Sequence, residues 1–166
     1  MENHAKDHAK DQASAQYSSL ASLVTALNVD FDRLEYLQGI VDSVDSDDLL
    51  SVELGEAAKE ELAELLDDAA GYTSEDEVRE AIQEDPLSVE VQSGWHSVGD
   101  ELEASEFRIL LYTGGPAVQI RGELDEYKTP CRAWMEYQDW GTPWTRFFDV
   151  SQETLLTYCQ QFYFGE

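Results

Sequence analysis

Basic residues are what this chain has least of relative to its size: ten Lys and Arg stand against 36 Asp and Glu, for a formal net charge of −26. A field of that sign repels nucleic acid and anionic membranes and attracts basic protein surfaces at long range. Direct nucleic-acid binding and membrane binding are therefore not expected. Cysteine is nearly absent too. Cys131 and Cys159 are the only two, with no CxxC spacing, and they read as reduced, buried thiols of a cytoplasmic protein; a disulfide is the less favoured alternative. No run is apolar enough for a signal peptide or a membrane span.

Catalytic vocabulary is missing as well. His96 is the only histidine beyond the first eight residues, and no GxSxG, HExxH, phosphate-loop or Cys/His metal spacing occurs. Carboxylates are so numerous that no pair of them is diagnostic. Asp42 and Glu53 are spaced like the end ligands of an EF-hand loop, but Val44 takes the third position and Asp47 the sixth, which needs glycine. The expectation is a protein that is not an enzyme, with no cofactor and no metal.

What the chain does have is concentrated acid. Between Val41 and Glu90 lie 18 Asp and Glu, opposed only by Lys59 and Arg79. From Val91 to Glu166 twelve acids face five bases. General adaptation for solubility or salt would spread the charge more evenly.

The pattern of apolar residues divides the chain. Residues 1–15 contain the tandem HAKDHAKD and few apolar side chains, which predicts a flexible tail or a weak exposed helix. A helical region follows over 16–86. Leu20, Leu23, Val24 and Leu27 mark one helix. Phe31, Leu34, Leu37 and Val41 mark a second, capped by Asp30. Leu54, Ala58, Leu62, Leu65, Leu66 and Ala69 mark a third, ended by a left-handed Gly71. Ser74 and Glu77 form a capping box for a fourth helix with Val78, Ala81 and Ile82 inward, and Pro86 closes it. The period then becomes two. Leu87, Val89 and Val91 predict a half-buried strand. Glu106–Thr113, Ala117–Leu124 and Cys131–Trp140 predict three more, with a turn at Gly114-Gly115-Pro116. Ser151 caps a last helix carrying Leu155, Leu156, Cys159 and Phe162. The fold class is α+β: acidic N-terminal helices, a four-stranded antiparallel meander and a C-terminal helix, with 87–166 expected to form one compact unit with the helices.

On the third helix Glu53, Glu56, Glu60, Glu64 and Asp67 recur at steps of three and four, flanked by Glu61 and Asp68. Such side chains lie about 5–6 Å apart on one face, and like charges so placed destabilise the helix. Successive phosphates of a DNA strand are spaced on the same scale, so a carboxylate row can stand in for a phosphate row. Asp42, Asp45, Asp47 and Asp48 precede this row; Glu75, Asp76, Glu80, Glu84 and Asp85 follow it. A second candidate is the loop Trp140-Gly-Thr-Pro-Trp144, where Trp140 and Trp144 could anchor a partner. The aromatic cluster around it (Trp95, Trp134, Tyr137, Phe147, Phe148) reads first as core.

From Glu84 to Glu166, through EDPLSVEV, GWHS, LLYTGGPAVQIRGELDEY, AWMEYQDWGTPWT and FYFGE, the chain resembles an uncharacterised family of small acidic proteins from proteobacterial phages, plasmids and integrated elements. The resemblance covers about half the chain and implies a mobile-element setting, with anti-CRISPR and anti-restriction nucleic-acid mimics as functional analogues. The expected function is non-enzymatic inhibition of a nucleic-acid-binding host-defence complex by mimicry of DNA charge. The expected partner is a basic nucleic-acid-binding protein, whether a CRISPR effector, a restriction enzyme or another DNA-binding protein. The alternative is an acidic immunity or chaperone-like protein for one dedicated basic partner. Oligomeric state stays open.

Overall fold

The computed structural model of the chain describes residues 2–44 and 49–165, with side chains described for 8–44 and 52–165. Helix begins at once: α1 spans Glu2–Leu27 without a break. Of the two alternatives expected over 1–15, a flexible tail or a weak exposed helix, the helix is the one found, but it is not exposed throughout. Ala9 and Ala13 are buried, and with Leu20 and Val24 they continue a single stripe of the helix. Small side chains at steps of four let a helix approach its neighbours closely, which a count of large apolar residues overlooks. Lys10 lies 3.8 Å from the Asp149 carboxylate, and the Tyr17 hydroxyl accepts a 2.8 Å hydrogen bond from the backbone N–H of Ser151.

The architecture is α+β, with five helices and one antiparallel sheet among the described residues. It divides into two compact units. One is Ser22–Glu80; the other joins Met1–Ala21 to Ala81–Glu166.

The first unit is helical. α2 spans Phe31–Asp42, and the Asp30 carboxylate caps it by accepting from Arg33 N–H at 2.9 Å, as the sequence suggests. α3 spans Leu49–Asp68. Leu37 of α2 packs with Ala58 and Leu62 of α3, and Leu34, Ile40, Val41 and Leu65 surround them. Leu54 and Leu66, read as inward, are instead exposed. The buried neighbour is Gly55, where Val44 occupies the space a Cβ would need. Close approach at a glycine rotates the buried stripe off Leu54. After α3 the left-handed turn takes two residues, Ala70 as well as Gly71, with φ of 52° and 91°. α4 spans Glu75–Glu84. Ser74 Oγ accepts from Glu77 N–H at 3.3 Å, while Glu77 reaches one residue further back than the expected box, accepting from the N–H and hydroxyl of Thr73 at 2.8 Å each.

The second unit is built on the sheet β1-β2-β3-β4-β5, all neighbours antiparallel: β1 Ser88–Ser93, β2 Ala104–Tyr112, β3 Ala117–Leu124, β4 Pro130–Gln138 and β5 Thr145–Phe147. β5 is one strand more than expected; three residues are too few to show alternation. α5, Gln152–Cys159, is capped by Ser151 as anticipated and packs on β4. The alternation puts Phe107 and Ile109 of β2, Val118 and Ile120 of β3, Ala133 and Met135 of β4 and Phe147 of β5 on one face, all buried. The ring of Phe164, beyond α5, lies 4.8 Å from that of Phe107. The Tyr158 hydroxyl, fully buried, donates to Asp85 at 2.6 Å. Burial and then this carboxylate push the Tyr158 phenol above its ordinary range.

Three expectations change here. Leu87, just before β1, and Val89 and Val91 within it are exposed, because β1 packs substantially on β2 alone, at the sheet edge away from β4, where α5 lies. Cys131 is exposed, whereas Cys159 is buried and its thiol pushed up by desolvation. The β3–β4 register shifts between Glu123 and Leu124, so Cys131 is left over in a bulge, its Sγ donating to the Glu123 carbonyl at 3.3 Å. Of the aromatic cluster read as core, only Phe147 is buried; Trp95, Trp140 and Phe148 are well exposed. Aliphatic residues and the rings after α5 fill most of the inner face of the sheet; Tyr137 stands half-buried at its margin, its ring 6.4 Å from that of Phe147, and the remaining aromatics lie on loops or on the other face.

Candidate functional site

The acidic surface is built by the helical unit. Between Ser22 and Glu80 stand 18 acids and three bases. On α3, Glu53, Glu56, Glu60, Glu64 and Asp67 are all exposed. At about 100° per residue their mean direction is opposite to that of Ala58 and Leu62, so packing against α2 is what turns the row outward. The row extends over about 21 Å of helix axis. Glu61 and Asp68 flank it, both exposed.

Among the described residues, few of these carboxylates are neutralised. Glu61 accepts from Arg33 Nε at 2.8 Å and Nη2 at 2.7 Å, and this hydrogen-bonded pair holds its carboxyl below the ordinary range. Glu56 meets Lys59 at 2.7 Å, and Glu75 meets Arg79. Asp76, Glu80 and Glu84 are exposed on α4, and Asp42 is exposed at the end of α2. Asp45, Asp47 and Asp48 lie outside the described residues. Asp85 does not belong with the interface candidates: it is half-buried and accepts from Tyr158. The sequence reading also left out the outer side of α2. Asp32, Glu35 and the exposed Tyr36 line an open depression there with Gly39 and Ile40. The signal for it was the spacing of Asp32 and Glu35 opposite Leu34 and Leu37.

The Trp loop behaves differently at its two ends. Trp140 is 78% exposed, yet its indole rests against Gly115, whose missing Cβ leaves the room. Gln138 Nε2 donates to Thr142 O at 2.6 Å and Thr142 Oγ1 to Asp139 O at 3.0 Å, holding the turn that presents it. Trp144 folds toward the polar face of the sheet.

That polar face escaped the sequence reading. Glu90, Arg108, Arg121 and Trp134 stand side by side across β1 to β4, and Gln119, Glu136 and Arg146 across β3 to β5. Four of the six arginines are here. Arg108 pairs with Glu90, Arg121 with Glu106 at 2.8 Å and Arg132 with Glu123 at 3.2 Å. Arg121, Arg132 and Arg146 all approach the Trp134 ring, at 6.0, 5.9 and 5.6 Å. The period-two polar residues of three strands were its signature.

Among the described residues, no three His, Cys, Asp or Glu side chains converge as metal ligands, and no helix is long and apolar enough to cross a membrane. In comparisons with known proteins, no family model, no curated protein and no solved structure matches the chain.

Proposed function

We propose that this chain is a non-enzymatic inhibitor that occupies the nucleic-acid-binding surface of a basic protein by presenting carboxylates in place of phosphates. The observation that carries the proposal is the α3 row: five acids on the face opposite the core, kept together although lysines at alternate positions would relieve their repulsion. A second feature supports mimicry over a single acidic patch. Asp32 and Glu35 face outward from α2 as the row does from α3, so acids flank both sides of a two-helix layer. Two packed helices measure about 18–22 Å across, the scale of a duplex. In the mobile-element setting implied by the resemblance of residues 84–166, the target is a cytoplasmic CRISPR effector, restriction enzyme or similar DNA-binding complex. The exposed Trp140 serves as a secondary anchor.

The test is a pull-down from proteobacterial lysate at low salt with the native chain and with the E53K/E56K/E60K/E64K variant, its fold verified by circular dichroism. The native chain should retain a nucleic-acid-binding complex, excess duplex DNA should displace it, and the variant should retain none. A partner that ignores DNA would assign the acidic surface to a dedicated basic protein instead. Loss of binding only on Trp140→Ala would overturn charge mimicry.

A further inference from the structure

The polar face of the sheet contains a cavity of about 250 Å³, walled by Glu90, Glu106, Arg108, Gln119, Arg121 and Trp144 among others. All of these residues belong to the sheet unit, and none to the acidic helices.

Gln119 is the unusual member. It is 3% exposed, and its Nε2 donates to Glu136 at 2.8 Å, leaving Oε1 as a buried acceptor that no donor among the described residues reaches. Turning the amide round would only set its oxygen against the Glu136 carboxylate. Buried acceptors without donors are rare in folded proteins, and each calls for an explanation. Arg108 and Arg121 are the second oddity. They are direct cross-strand partners, an arrangement that sets like charges side by side. Arg108 uses Nε and Nη2 on Glu90, and Arg121 uses Nη2 on Glu106. A guanidinium carries five N–H groups, so both retain donors.

These features select the ligand by charge. Two Glu and two Arg make the lining neutral. A simple anion would suit the paired guanidinia but would be repelled by a chain of −26. A simple cation would meet those same guanidinia. A zwitterion escapes both penalties, with its carboxylate toward the arginines and its amino group toward the unpaired acceptor. The cavity has room for about eight waters at about 30 Å³ each, which suits an amino acid and is too small for a nucleotide. We propose that this cavity binds a free α-amino acid, carboxylate toward Arg108 and Arg121 and amino group toward Gln119 Oε1, with Trp144, beside the three-residue β5, as the wall that shifts to admit it and to bring that buried oxygen within reach.

The test is to titrate ¹⁵N-labelled protein with each of the twenty amino acids to about 10 mM, beyond the weak millimolar limit of specific binding, and to follow the Trp144 indole N–H, assigned with Trp144→Phe. A chemically related subset should shift this signal and leave that of the exposed Trp95 unmoved. Analogues of the best ligand lacking the amino group or the carboxylate should bind at least about tenfold more weakly, a difference of about 1.4 kcal/mol. Gln119→Leu should weaken binding as much while the sheet stays folded. The proposal is overturned if no amino acid moves the Trp144 signal, or if either truncated analogue binds as well as the parent.

Discussion

Substituting Glu60 by Lys separates what the α3 row does for folding from what it does for function. Glu60 lies at the centre of the row, one helical turn from both Glu56 and Glu64, and all three are exposed. Each like-charged pair destabilises a helix by about 0.2–0.5 kcal/mol, and each opposite pair stabilises by a similar amount. The lysine exchanges two repulsive pairs for two attractive ones, an upper bound of about 2 kcal/mol at low salt. Two details reduce it. Glu56 is already engaged by Lys59 at 2.7 Å. Only Glu56 stands N-terminal to the new lysine, which is the favourable order along a helix; Glu64 stands in the weaker one. The expected gain is about 0.5–1 kcal/mol. The assay is urea unfolding followed by helical circular dichroism at low salt and at about 1 M salt, where the Debye length falls to about 3 Å and the gain should vanish. The same variant should bind the proposed nucleic-acid-binding target more weakly. A residue that stabilises the protein while impairing its binding marks a surface kept for function. Equal or lower stability at low salt, or a gain that survives high salt, would refute the claim that this row is held together against its own repulsion.

Two further outcomes follow from pairs within the units. Asp85→Ala strands the fully buried Tyr158 hydroxyl and should lower stability by about 1–3 kcal/mol in denaturant titration; Tyr158→Phe should cost less, because the freed carboxylate of half-buried Asp85 still reaches water. Glu61, held low by Arg33, should titrate below the ordinary carboxylate range in carboxyl ¹³C spectra. Its pairing adds stability above that range and loses it as pH falls through the lowered value, and Arg33→Gln should bring the titration back up.

The sequence alone determined the features that depend on near neighbours. Asp30 and Ser151 cap because a side-chain oxygen three residues before an N–H is a local geometry, and the change of period at Leu87 marks the passage from helix to sheet because backbone repeat alone sets it. The acidic row on α3 was legible for the same reason. Only the tertiary structure decided which apolar residues have a partner. Leu54 gives way to Gly55, where Val44 closes in; Ala9 and Ala13 pack a segment expected as a tail or an exposed helix; Leu87, Val89 and Val91 alternate correctly yet stay exposed at the sheet edge. Burial is set by what another segment brings into contact, and a period carries no record of that. The polar sheet face shows the same limit. Arg108, Arg121 and Trp134 are far apart in the chain and meet only through strand register, as do Gln119 and Glu136, so the buried acceptor between them has no local signature.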